Sequence, residues 1–248
     1  MARASRYLLI DISNSFTKTA FATPVQIERP TRIATGKFNA VFLRRFIKRR
    51  KIDMFVVSSV VPRKNRVIEQ TARGTKALWL NSRLPLGIGI DYPKPETIGA
   101  DRLANAVAVA ALYEYPAVVV DFGTAVTFDI VSERRNYIGG VIAPGLEAVT
   151  NFLYQRTALL PKLSLREPPR AVGKSTVEAM LAGAVIGYRG LVREILARIR
   201  AEQFPRKKVY VVATGGYARL LARALPEIDV VQPHLTLEGL RIVANLNG

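Results

Sequence analysis

The chain has 248 residues, 49% of them hydrophobic, enough to bury a core without disulfides or a structural metal. Lysine and arginine number 37 against 19 aspartate and glutamate, a formal net charge of +18 at pH 7 that predicts attraction to anions without naming them. With no cysteine and a single histidine, His234, the composition excludes thiol catalysis, disulfide frameworks, cysteine-held zinc, iron–sulfur clusters and multi-histidine metal sites.

The first predicted strands run from Arg6 to Ile12 and from Phe16 to Ala22, with Ser13-Asn14-Ser15 between them. The apolar run Tyr7-Leu8-Leu9-Ile10 is cut by Asp11, and no stretch approaches the roughly 18 to 20 residues that span a bilayer. The expectation is a soluble cytoplasmic protein. A helix is predicted over Ala40 to Arg50, with Val41, Phe42, Phe46 and Ile47 at helical spacing and a basic run from Arg44 to Lys51 on the other face. No RNA- or DNA-binding signature accompanies that run, so it reads as a solvated face and nucleic acid as an unlikely partner.

Strands follow at Met54 to Val60 and Ala77 to Leu80, then a helix from Asp101 to Tyr113. Beyond Pro116 come strands at Ala117 to Asp121 and Val126 to Val131, and helices at Leu146 to Ala158 and Ser175 to Ala201. A strand at Lys208 to Ala213 and helices at Ala218 to Ala224 and Leu237 to Leu246 complete the chain. This is an α/β pattern. Residues 7–17 overlie residues 117–127 at an offset of 110, each a buried strand ending in Asp, then small polar residues, then a strand with Thr in register. Two similar domains, 1–115 and 116–248, with a central cleft are the expected architecture.

A strand that delivers Asp into a turn of small residues can offer amides to phosphate oxygens and a carboxylate to Mg²⁺ or its water. Asp11 with Ser13, Asn14 and Ser15 forms one such hairpin, and Asp121 with Gly123 and Thr124 the other; each alone is equally an ordinary turn. Gly173-Lys174-Ser175-Thr176 resembles the end of a P-loop, but Pro168 stands at the first glycine position and no strand precedes it. Gly87-x-Gly89 lacks the third glycine of a dinucleotide fingerprint, since Tyr92 stands there. Thr214-Gly215-Gly216 joins a strand to a helix and suits either an adenosine contact or tight packing. Asp101, in Ile98-Gly99-Ala100-Asp101-Arg102, suits a helix N-terminus and equally a general base, with Arg102 and Tyr92 able to orient a carboxylate-bearing substrate.

Together these segments resemble the type III pantothenate kinases of the acetate and sugar kinase, Hsp70 and actin superfamily. The likeness rests on Asp11 to Lys18, Ser58-Ser59-Val60-Val61-Pro62, Tyr92 with Gly99 to Arg102, and Asp121 to Asp129. It continues through Gly139 to Gly145, Gly173 to Thr176, Thr214-Gly215-Gly216 and Leu237 to Leu240. The resemblance implies two RNase H-like (actin-like ATPase) domains and ATP-dependent phosphorylation of pantothenate to 4′-phosphopantothenate, the first step of coenzyme A synthesis. It implies Asp101 as proton acceptor, with Tyr92, Gly99, Ala100, Arg102 and Thr176 on pantothenate. Asp11, Ile12, Ser13, Asn14, Ser15, Phe16, Thr17, Lys18 and Thr124 would contact ATP with Mg²⁺, and Asp121 a monovalent cation, K⁺ or NH₄⁺. It also implies a homodimer, with the helix after Gly173 near the subunit contact.

The family's first loop reads Asp-x-Gly-Asn-Thr, and here Ser13 and Ser15 replace the Gly and Thr. A positive φ at Ser13 would be costly, which places the expected price of the departure on ATP affinity. The competing reading is a catalytically weak relative acting as a regulatory or nucleic-acid-binding factor.

Overall fold

In the computed structural model, which describes residues 6–48 and 50–248, the chain packs into two compact units. The first takes the chain up to Glu114, together with Val131–Gly139 and His234–Gly248; the second takes Tyr115–Ile130 and Gly140–Pro233.

The first unit is built on β1 (Tyr7–Ile12), whose six residues are all buried. Such a strand is covered on both faces, which is why it reads as a continuous apolar run rather than an alternating one. It pairs antiparallel with β2 (Phe16–Ala22), which pairs antiparallel with β3 (Thr31–Ala34). Helix α1 (Ala40–Ile47) follows, then β4 (Met54–Ser59), α2 (Asn65–Thr71) and β5 (Lys76–Trp79). β4 lies parallel to β1 and β5 parallel to β4, giving the order β3-β2-β1-β4-β5.

Asn39 caps α1 by accepting a hydrogen bond from Phe42 N at 2.9 Å. The helix stops at Ile47, short of the expected Arg50, because Lys48 turns to φ 42° while its N–H bonds Arg44 O. Its apolar face seats Phe46 in a stack on Phe21 at 5.1 Å, and Arg44 and Arg45 point to solvent. Arg49 of the basic run lies outside the described residues.

The short β6 (Gly89–Ile90) and the helix α3 (Ala100–Leu112) complete the sequence of this unit before Glu114. The last helix of the chain, α7 (Leu235–Asn247), also belongs here, although the sequence places it in a domain spanning 116–248. Gly239 explains why: it lies against the Ala104 carbonyl of α3, where any side chain would collide. Beside it Thr236 donates to Asn105 at 2.9 Å, both residues being buried.

The second unit repeats the plan. β7 (Ala117–Phe122), β8 (Ala125–Val131) and β9 (Asn136–Pro144), whose start up to Gly139 belongs to the first unit, precede α4 (Leu146–Arg156) and the 28-residue α5 (Thr176–Gln203). β10 (Tyr210–Thr214), α6 (Ala218–Ala222) and β11 (Val230–Val231) follow. β10 is parallel to β7 and β11 parallel to β10; in the six-stranded sheet β6-β9-β8-β7-β10-β11, the run from β9 to β11 follows the order of the first unit's sheet, with β6 added beside β9. Shared strand order is stronger evidence of duplication than the two identities, Asp and Thr, in the aligned sequences. Between α4 and α5 the chain is tethered by Arg189, 4% exposed, whose guanidinium makes two 2.7 Å bonds to Glu167 and bonds the Leu220 and Leu221 carbonyls.

Candidate active site

The β1–β2 turn carries the first group of candidate residues. Asp11 is 2% exposed and stands in register with Lys18 across the hairpin and with Ser58 on β4. Ser13 N donates to Phe16 O at 3.2 Å, and Asn14 and Ser15 are exposed at the tip. Among the described residues the non-glycine positions with positive φ are Lys48, Arg135 and Arg206, so Ser13 does not carry the strain expected of it. Its hydroxyl instead lies 3.4 Å from each oxygen of Asp11, the outer limit of a hydrogen bond. Phe16 is partly exposed beneath the guanidinium of Arg32, 3.3 Å from the ring centroid. The side chains of Ile12 and Thr17 are fully buried, so any contact from these two would come from backbone.

The second hairpin holds Asp121 just before Gly123 and Thr124. Thr124 is exposed, and its carbonyl accepts from Gly145 N at 3.2 Å. Gly215 has φ +94°, and a Cβ there would fall 2.5 Å from Asp121 Oδ1 and 2.6 Å from the Phe122 carbonyl. Packing against the Asp121 strand therefore accounts for this glycine. Thr214, in register with Asp121, is fully buried.

A third group surrounds the start of α3. Gly99 is the N-cap and supplies no side chain, so Asp101 sits inside the first turn, where the helix dipole favours its charge. Its Oδ1 accepts from Arg102 N at 2.9 Å. A Cβ on Gly99 would lie 2.6 Å from that same oxygen, so the glycine clears the space that the carboxylate occupies. Beside this turn lies an open groove of about 540 Å³ whose lining includes Ser59, Val60, Asn81, Ile98, Gly99 and Ala100. Tyr92 stands edge-on to the buried ring of Tyr137, centroids 6.0 Å apart, and the Arg102 guanidinium lies 5.7 Å from the same ring. Tyr137 thus supports both substrate candidates, and the sequence reading missed it. The only local signal is its place two residues before Gly139, whose φ of +128° sets its backbone against the Tyr92 ring.

Thr176 is exposed at the first position of α5. Ser175 caps that helix by accepting from Glu178 N at 3.2 Å, and Glu178 reaches back to Lys174 N at 2.9 Å. Gly173 packs directly on the Ala179 backbone. Gly-Lys-Ser-Thr is therefore a capping motif entered by a close approach, which explains its likeness to a P-loop without phosphate binding.

Among the described residues no group of three or more His, Asp or Glu could hold a metal, and no helix is long and apolar enough to cross a membrane. What the two hairpins offer is one carboxylate each, with a buried hydroxyl on the neighbouring strand. Neither the Ser58 nor the Thr214 hydroxyl has a hydrogen-bond partner among the described residues. Such all-oxygen surroundings fit a hard cation that draws its other ligands from water and substrate phosphates.

A family model for type III pantothenate kinase matches residues 7–198. The chain belongs to the type III pantothenate kinase family. It is 51% identical to the type III pantothenate kinase of Akkermansia muciniphila, over 97% of this chain and 99% of that one. Against the family member from Methylacidiphilum infernorum it is 42% identical, over 96% of this chain and 88% of the relative. A propionate kinase structure from Francisella tularensis superposes with a TM-score of 0.55 at 12% identity, covering 98% of this chain and all of that one. At that identity the likeness speaks for the fold, which is two RNase H-like domains of the actin and acetate kinase type.

Proposed function

We propose that the protein phosphorylates pantothenate to 4′-phosphopantothenate at the expense of ATP, with Asp101 as the base. The pantothenate hydroxyl gives its proton to the Asp101 carboxylate as its oxygen bonds to the γ-phosphorus. The bond from that phosphorus to the β-bridging oxygen breaks, and ADP leaves. Arg102 and Tyr92, both packed on Tyr137, orient the pantothenate carboxylate and amide, with Gly99, Ala100 and Thr176 completing the contacts. Residues Asp11 to Lys18 and Thr124 contact ATP, the exposed turn amides on its phosphates. A divalent ion supplies charge neutralisation on those phosphates when bound.

Asp121 and Thr214 supply oxygens suited to a monovalent cation, K⁺ or NH₄⁺. The second unit exposes Phe152 (59%), Leu159 (89%) and Val172 (72%) on α4 and the segment before α5. Large apolar side chains this open favour burial against a second copy, so the active species is a homodimer. The working compartment is the cytoplasm.

The observation that carries the reading is Asp101, held by Arg102 N and given room by Gly99 beside an open groove, in a chain of this family. Incubation with ATP, Mg²⁺, K⁺ and pantothenate should yield ADP and 4′-phosphopantothenate in equal amounts by mass spectrometry. No such product, with salt-sensitive binding to DNA or RNA in its place, would favour the regulatory reading.

A further inference from the structure

Thr35, just beyond β3, is far in sequence from every candidate residue, yet it makes two hydrogen bonds to the β1–β2 turn. Its hydroxyl donates to Ser13 O at 2.6 Å, and its N–H donates to Ser15 O at 3.0 Å. The Thr35 side chain is 2% exposed, and its oxygen lies 3.1 Å from the hydroxyl of Thr17, itself fully buried. A threonine hydroxyl has one proton. Because Thr35 spends that proton on Ser13 O, the proton between the two threonines comes from Thr17. The result is a directed chain from Thr17 through Thr35 to the turn, in which each bond polarises the next.

The chain has a consequence for the outer face of the turn. A trans peptide is planar, with its C=O and the following N–H pointing in opposite directions. Drawing the Ser13 carbonyl toward Thr35 therefore turns the Asn14 N–H away from the protein interior. Drawing the Ser15 carbonyl to the Thr35 N–H fixes the other end of the turn, with Phe16 facing back across the hairpin, where its carbonyl accepts from Ser13 N. We infer that Thr35 is a positioning residue for ATP: it touches no substrate and fixes the turn so that the Asn14 amide stands ready for a phosphate oxygen. The inference rests on the proposed role of this turn in ATP binding. With this latch setting the path of the turn, a serine stands at position 13 without a glycine conformation.

Thr35→Val keeps the shape and removes the hydroxyl; Thr35→Ser keeps the hydroxyl and removes only a methyl. Calorimetric ATP·Mg²⁺ binding, steady-state kinetics and thermal melting should be measured for both and for Asp11→Asn. Thr35→Val is expected to weaken ATP binding and raise KM for ATP by about tenfold, leaving KM for pantothenate unchanged, with kcat falling far less. Thr35→Ser should restore most of the ATP affinity. In hydrogen exchange, the amides at positions 13 and 35, bonded to Phe16 O and Ser15 O in the parent, should exchange faster in Thr35→Val in the free protein while β1 stays protected. Equal losses in both Thr35 variants would make the residue a packing element and overturn the inference. An unchanged ATP affinity in Thr35→Val, with a loss in Asp11→Asn, would overturn it while leaving the turn as the ATP site. No loss in either variant would overturn the reading of the turn itself.

Discussion

Asp121 on β7 stands beside Thr214 on the parallel strand β10, and the buried Thr214 hydroxyl has no partner among the described residues. Asp11 and Ser58 repeat this pairing between β1 and β4. In each unit the end of the central strand therefore sets a carboxylate next to an unsatisfied hydroxyl, at the position where the chain turns into a hairpin. A buried hydroxyl without a partner costs about 1–3 kcal/mol. Retaining one at both equivalent positions is explained if each serves a ligand.

Thr214→Val removes that cost and should hold or raise the melting temperature. It should also raise the K⁺ concentration needed for half-maximal rate by about fivefold, since an oxygen donor is lost. A variant equal to the parent in its response to K⁺ would remove Thr214 from the cation site.

Ser13→Gly should leave KM for ATP within about threefold of the parent, because the Ser13 hydroxyl is only marginally bonded to Asp11 and its φ is not strained. Stability should fall by about 0.5–1 kcal/mol from the added freedom of the unfolded chain. Steady-state kinetics and denaturant titration check both. A large loss of ATP use would give the Ser13 hydroxyl a direct role.

The sheets were largely legible in the sequence because their central strands are continuous apolar runs ending in Asp. What escaped had weaker local signals. β3 is four residues of mixed polarity, β11 has two residues, and β9 carries the adjacent glycines Gly139 and Gly140. The placement of α7 depends on Gly239 meeting Ala104, a contact across more than half the chain that no local pattern reports. The same holds for the site. The candidates Asp11, Asp101 and Asp121 stand out in the sequence because their neighbours share their chemistry. Tyr137 and Thr35 make their contacts to the candidate residues only in the folded chain.

The Glu167 carboxyl has its pKa lowered, chiefly by its hydrogen bonds to Arg189; burial opposes this, and the charges of Arg189 and Arg223 add smaller lowering effects. A depressed folded-state pKa contributes stability at pH above the ordinary value, 4.5, that is lost as pH falls through the folded value. The Glu167 side chain is 44% exposed, so solvent screening keeps its share modest. Glu167→Gln should cost up to about 1 kcal/mol at pH 7, and the difference from the parent should shrink as pH drops below 4.5. Melting curves from pH 7 to pH 3 test this. A gap that does not change with pH would mean that charge plays no part in the tether.

Phe152→Glu places a charge on the exposed apolar side of α4. It should convert a dimer to monomer in sedimentation at micromolar concentration, with little change in the fold of the second unit as read by circular dichroism. A parent protein that sediments as a monomer would remove the proposed dimer.

The most direct measurement is ADP release with and without pantothenate, for the parent protein and for Asp101→Asn. The parent should release ADP only when pantothenate is present. The variant should bind ATP as the parent does while turning over about 10² to 10⁴ times more slowly. An Asp101→Asn protein that phosphorylates pantothenate at the parent rate would contradict the assignment of the base and the mechanism built on it.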